Sequence, residues 1–171
     1  MDIPQNIKTH LAWTFDEVLP GSFKRKKVIF AHHDYPILAP LPVQKRRTRQ
    51  IEECGKPGPF IYFVVDREGT VCYVGKSQEP QVIDRWMRPG IGGPTDYYWT
   101  HSTKAGGSVF NIAEGLRCGK GPYNLRYATL SDIIPEYGQS FGITNDMPQS
   151  KALCAMEKVL TSMLSPAWNI C

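Results

Sequence analysis

The stretch Phe60-Ile-Tyr-Phe-Val-Val65, Asp66-Arg-Glu-Gly-Thr70, Val71-Cys-Tyr-Val-Gly-Lys-Ser77 decides the fold. Its outer runs are rich in β-branched and aromatic residues, which suit a pleated, half-buried surface. Asp66 to Thr70 form a short turn between them, so a β-hairpin is expected. Antiparallel pairing around that turn brings Tyr62 and Tyr73 near each other on one face. They are either two core aromatics or two phenols lining a site. Gly75 comes next, and a glycine in a strand lets another group approach the backbone closely.

Downstream, Pro80 suits the first turn of a short helix over Gln81–Trp86, with Arg85 off its Val82/Ile83/Trp86 side. Residues 89–107 hold five glycines and two prolines and read as a loop. Val109, Ile112, Ala113 and Leu116 follow helical spacing, and Tyr123, Leu125, Tyr127 and Thr129 alternate as in a strand. Ser150 can cap a last helix over about Lys151–Leu164, which Pro166 ends. Upstream, residues 36–44 are punctuated by proline and read as extended chain. Gly55 to Pro59 is a breaker cluster and marks the expected boundary. Residues 1–58 then form an arm, with a short helix around Trp13–Leu19 and no core of its own.

The 171 residues suffice for one domain with a core, or one domain plus an arm. Apolar residues at 42% and charged residues at 21% argue against wholesale disorder. The longest apolar run, Phe60–Val65, is far short of a membrane span, and the N-terminus lacks the apolar core of a secretory signal. The five cysteines include no CxxC pair, which suggests a reducing compartment and excludes a zinc ribbon. Adjacent His32 and His33 point opposite ways on an extended chain, so with Asp34 they make a poor metal site. Net charge is +4, and all of it falls in residues 1–58, which hold ten basic and six acidic side chains. The excess sits in Lys24-Arg25-Lys26-Lys27 and in Lys45-Arg46-Arg47 with Arg49. Such patches point to a polyanion such as nucleic acid, or to a plain solvated basic surface.

The last helix holds the most informative anomaly. Leu153, Met156, Leu160 and Leu164 form its apolar stripe, and Glu157 falls inside it. A carboxylate turned toward a core needs a cation. Either an internal salt bridge to an arginine or a metal ion would supply one.

Together these residues resemble the GIY-YIG nuclease superfamily over residues 59–171. The shared pattern is Ile61-Tyr62, then Tyr73-Val74-Gly75, Arg85 ten positions on, Glu157 on a helix, Pro166, and Asn169 twelve after Glu157. Phe60 stands where the family signature opens with glycine, and Pro89 stands where many members carry His or Tyr four residues after the arginine. His101, Tyr97 and Tyr98 are the candidates for that missing role.

The resemblance implies an α/β (α+β) domain with a small central antiparallel sheet flanked by helices, an N-terminal basic arm, and an insertion over about 89–148. It also implies a phosphodiesterase site with one divalent ion, Mg²⁺ or Mn²⁺, held by Glu157. Arg85 would grip the scissile phosphate, Tyr62 would orient or deprotonate the water, and Tyr73 would position water or phosphate. Lys76 joins this catalytic group; Gly75, Ser77 and Asn169 would support it, Asn169 by orienting Glu157 or the local backbone.

The inserted segment interleaves cations and aromatics, so Tyr98, His101, Lys104 and Lys120 are expected to contact DNA along with the arm. With the chain ending two residues after Asn169, specificity is expected from the arm and the insertion. Such a chain is similar to the short Type II restriction endonucleases of the superfamily. Its expected partner is double-stranded DNA, without a membrane, and a double-strand break would call for a homodimer or two nicks. Its expected setting is the cytoplasm of a bacterial or phage-infected cell. A structure-specific or weakly specific nuclease is the alternative, and a binding module without catalysis the third.

Overall fold

The computed structural model describes residues 1–24, 34–41, 58–89, 97–101, 106–138, 141–144 and 146–169. The hairpin forms as its sequence dictates: β4 (Phe60–Val65) and β5 (Val71–Ser77) pair antiparallel, with Tyr62 opposite Gly75 and a bulge near the turn. On the other side β4 pairs antiparallel with β8 (Tyr123–Thr129), which in turn pairs with β1 (His10–Phe15). The order β1-β8-β4-β5 makes a four-stranded antiparallel sheet with β5 at one edge. The protein is thus a mixed α+β fold.

All six residues of β4 are buried, because both faces of the sheet are covered. Phe60, Tyr62 and Val64 pack on one face with Trp13, Phe15, Trp86, Trp99 and Ile112. Ile61, Phe63 and Val65 pack on the other with Leu153, Met156, Leu160 and Leu164. That second face is covered by the long helix α4 (Gln149–Leu164). The first face carries α1 (Val82–Trp86), α2 (Ser108–Arg117) and two small ribbons: β2 (Glu17–Phe23) with β3 (Tyr35–Ala39), and β6 (Met87–Pro89) with β7 (Tyr97–Trp99). A short helix α3 (Leu130–Ile133), closed by a Thr129–Asp132 capping box, runs into a wider turn over Ile134–Gly138.

Three local expectations give way. Trp13–Leu19 is not a helix but the end of β1 and the start of β2. The expected loop over 89–107 contains β7 and the last residue of β6. Ser150 does not cap α4; Pro148 holds the cap position, with no side-chain cap bond, and Ser150 lies in the first turn. The stretch before the expected boundary also shares the common core. Trp13 and Phe15 reach it from β1, Leu38 from β3, and Phe23 of β2 stacks on Tyr98 at 4.1 Å. Among the described residues no helix is long and apolar enough to cross a membrane.

Candidate active site

Strand alternation places Tyr62 beside the close-approach glycine of β5. A Cβ built at Gly75 would come within 2.5 Å of the Tyr62 ring, so the phenol lies flat against the bare backbone. The ring is 1% exposed, with Trp86 edge-on to it at 5.7 Å and Tyr73 at 6.1 Å. Its hydroxyl and His101 Nε2 are hydrogen bonded at 2.6 Å. His101 follows β7, stacks on Trp86 at 4.2 Å, and lies edge-on to Tyr73 at 5.6 Å. The residues that follow β7 therefore deliver an imidazole onto the phenol pair.

Burial sets the protonation of this cluster. It pushes the Tyr62 phenol well above its usual range; nearby Tyr73 adds to the rise, and the Arg85 guanidinium opposes it. Tyr73, half-buried, is also raised, first by burial and then by the Glu157 charge. His101 is pushed down to about 3, first by burial and then by the Arg85 cation. At neutral pH the phenols and the imidazole are therefore uncharged.

The His101 shift has a consequence in acid. The folded value lies below the ordinary ~6.5, so the unfolded chain binds more protons between about 6.5 and about 3. Stability from this group is full above that window and falls as pH drops through it. Denaturation midpoints from about pH 7 to about pH 4 are expected to fall more steeply for the wild type than for His101→Phe. The variant keeps a ring against Trp86 without a titrating group, and parallel curves for the two proteins would count against a buried neutral imidazole.

Lys76 and Glu157 lie around the edge strand from the phenols. Lys76 alternates with Gly75 along β5, and Glu157 comes from α4, which packs on the second sheet face. The Lys76 ammonium donates to Glu157 Oε2, and the carboxylate raises its affinity for the proton. The internal cation for Glu157 is thus a lysine from the hairpin, not an arginine.

Because β5 is the edge, the two groups open onto adjoining clefts. Lys76 and the exposed Arg85 line a cleft of about 380 Å³ with Ser77, Leu153 and Cys154. Tyr73 and Glu157 line a second of about 740 Å³ with Lys158, Trp168 and Asn169. Asn169 Nδ2 donates to the Val74 carbonyl and its Oδ1 accepts the Val74 amide, both at 2.7 Å. Of the two supporting roles open to Asn169, it holds the local backbone. Buried Ser77 accepts the Glu79 amide and shapes the bend after β5.

Among the described residues no cluster of three or more His, Cys, Asp or Glu surrounds Glu157. A single carboxylate on an open cleft suits an ion that keeps most of its water, as Mg²⁺ does. Glu157 is a donor of the kind such an ion accepts.

Tyr62, Tyr73, Lys76, Arg85 and Glu157 are thus brought together around one strand edge. Four of the expected DNA-contacting residues are described: Lys24, Tyr98, His101 and Lys120. His101 is 3% exposed and belongs to the phenol cluster, so it is not available to DNA as a surface side chain. Tyr98 is half-buried against Phe23. Lys24 and Lys120 are exposed. Arg25, Lys26, Lys27, Arg46, Arg47, Arg49, Lys104, His32 and His33 lie outside the described residues. Trp86 is the site residue that sequence reasoning missed: its ring carries the stack under His101, and its only signal was its place one turn along from Val82 on α1. Comparison with protein-family models, with curated proteins and with solved structures returned no match.

Proposed function

We propose that the chain is a divalent-metal-dependent DNA endonuclease of GIY-YIG type, cutting at specific sequences as Type II restriction enzymes do. The observation that carries this is the buried Tyr62–His101 hydrogen bond set between Tyr73 and the Arg85 cation. Phosphodiester hydrolysis needs an activated water, neutralisation of the charge on the phosphoryl oxygens, and help for the departing oxygen. Glu157 is the carboxylate that would hold Mg²⁺ or Mn²⁺, and the ion would supply charge neutralisation at the phosphate. Arg85 presents its planar fork to a phosphate in the smaller cleft.

An isolated phenol raised by burial is a poor base. With the imidazole proton on Nδ1, however, Nε2 accepts the Tyr62 hydroxyl. Tyr62 then takes a proton from water as its own passes to His101. A phosphate against Arg85 offsets only the smaller of the two causes that depress the imidazole, the larger being burial. His101 fills the role that Pro89 leaves open. Of the cations expected to touch DNA, Lys24 and Lys120 are described and exposed, and would contact its backbone.

The test is cleavage of plasmid and phage DNA with Mg²⁺ or EDTA, beside Glu157→Ala. The expected result is discrete bands that need Mg²⁺ and vanish in the variant. A smear with the same dependences would replace sequence specificity with a weakly specific nuclease. Intact DNA from folded protein would overturn the nuclease assignment.

A further inference from the structure

Lys76 and Glu157 sit on the partition between the two clefts. The lysine lines the smaller one beside Arg85, and the carboxylate lines the larger one beside Tyr73. The ion pair joins them across that partition. Their side chains are 36% and 23% exposed, so the pair is neither locked in the core nor freely solvated. Two cations cannot share one carboxylate oxygen at close range without strong repulsion. On either Glu157 oxygen an incoming divalent ion lies close to the ammonium, so repulsion favours moving the ammonium aside, and a four-carbon stem can swing it.

The cleft to which Lys76 already contributes is the one that holds the Arg85 guanidinium, which opposes a second cation unless an anion lies between them. Accordingly, we infer that Lys76 is a gating counter-ion: it holds Glu157 in place without metal and, when a divalent ion arrives, turns beside Arg85 as a second phosphate grip. This rests on the metal-dependent reading above and goes beyond it in one respect. Metal and phosphate would reinforce each other's binding, because each stabilises the position of Lys76 that the other needs. Lys76 is then a positioning residue toward the metal and a contact toward the phosphate.

The experiment measures binding and not turnover. Mn²⁺ binding to the intact protein is followed by electron paramagnetic resonance for the wild type, Lys76→Met and Glu157→Gln. Lys76→Met is expected to bind Mn²⁺ about three- to tenfold more tightly than the wild type, since a competing cation has been removed. Glu157→Gln is expected to lose the site. In parallel, fluorescence anisotropy of a labelled DNA duplex is read with Ca²⁺, which supports binding without Mg²⁺ chemistry, and with EDTA. Wild-type affinity is expected to rise with Ca²⁺ by a larger factor than that of Lys76→Met.

If Lys76→Met binds Mn²⁺ no more tightly than the wild type, while Glu157→Gln loses it, the gate is overturned and the metal site stands. If all three proteins bind Mn²⁺ alike, Glu157 is not the ligand and both fail. If the wild type binds no Mn²⁺ without DNA, binding by Lys76→Met supports the gate and its absence overturns it. Equal Ca²⁺ factors for the two proteins would overturn the phosphate-gripping half. Thermal melts without metal keep the mutants honest as folded proteins.

Discussion

Gly75→Ala is expected to destabilise the protein by about 3 kcal/mol, at the upper end of overpacking substitutions. The added methyl would fall within 2.6 Å of three Tyr62 atoms, Cζ, Cε2 and the hydroxyl oxygen. The ring cannot retreat cheaply, because Trp86 and His101 are packed edge-on against it. Nor can β5 swing out, since β4 holds one side of it and Asn169 holds Val74. For a chain of this size the melting temperature should fall by roughly 6–12 °C. The same displacement would break the Tyr62–His101 hydrogen bond, so cleavage should fall along with stability. A melting point within about a degree of the wild type would mean that Tyr62 is not pressed on this backbone.

Tyr62→Phe separates chemistry from packing. The ring and its contacts stay, and only the hydroxyl is removed. The change leaves His101 Nε2 buried without this partner, a cost of about 1–3 kcal/mol. The effect on rate should be far larger. If Tyr62 transfers a proton as proposed, its loss is expected to lower DNA cleavage by about 10²–10⁴-fold. Single-turnover cleavage at saturating Mg²⁺ measures it, with a melt to confirm folding. If the variant cuts within a few-fold of the wild type, the phenol is a core aromatic and the water is activated elsewhere.

The parts of the fold written in local sequence were legible. The β4–β5 hairpin needs only two β-rich runs and a turn, and α4 declares itself by periodicity. Glu157 was visible as a misfit in that period, though its partner was not, because Lys76 lies 81 positions away. Strand β1 was misread for a similar reason. It exists by pairing with β8, and the bond between Thr14 and Asn124 spans 110 positions. A short apolar segment carries no local sign of such a partner. Of the two roles read for His101, DNA contact came from its place among cations and aromatics, and burial removes that one. The run of aromatics Tyr97-Tyr98-Trp99, residues favoured in strands, was the available hint that a strand precedes His101. Tyr62, Tyr73 and Arg85 were singled out through the resemblance, and Gly75 of the same pattern is where the Tyr62 ring makes its close approach to the backbone.

The Asn169 clip has a consequence beyond the site. An uncovered outer strand offers unpaired amides and carbonyls to any extended chain, which is how sheets recruit one another into aggregates. On β5, Val74 spends both its groups on one side-chain amide, and the Cys72 carbonyl takes the Trp168 amide. Two consecutive residues near the C-terminus thus imitate a strand without being one. The middle of the β5 rim is covered against templated growth, and the clefts lined by Lys76 and by Glu157 stay open.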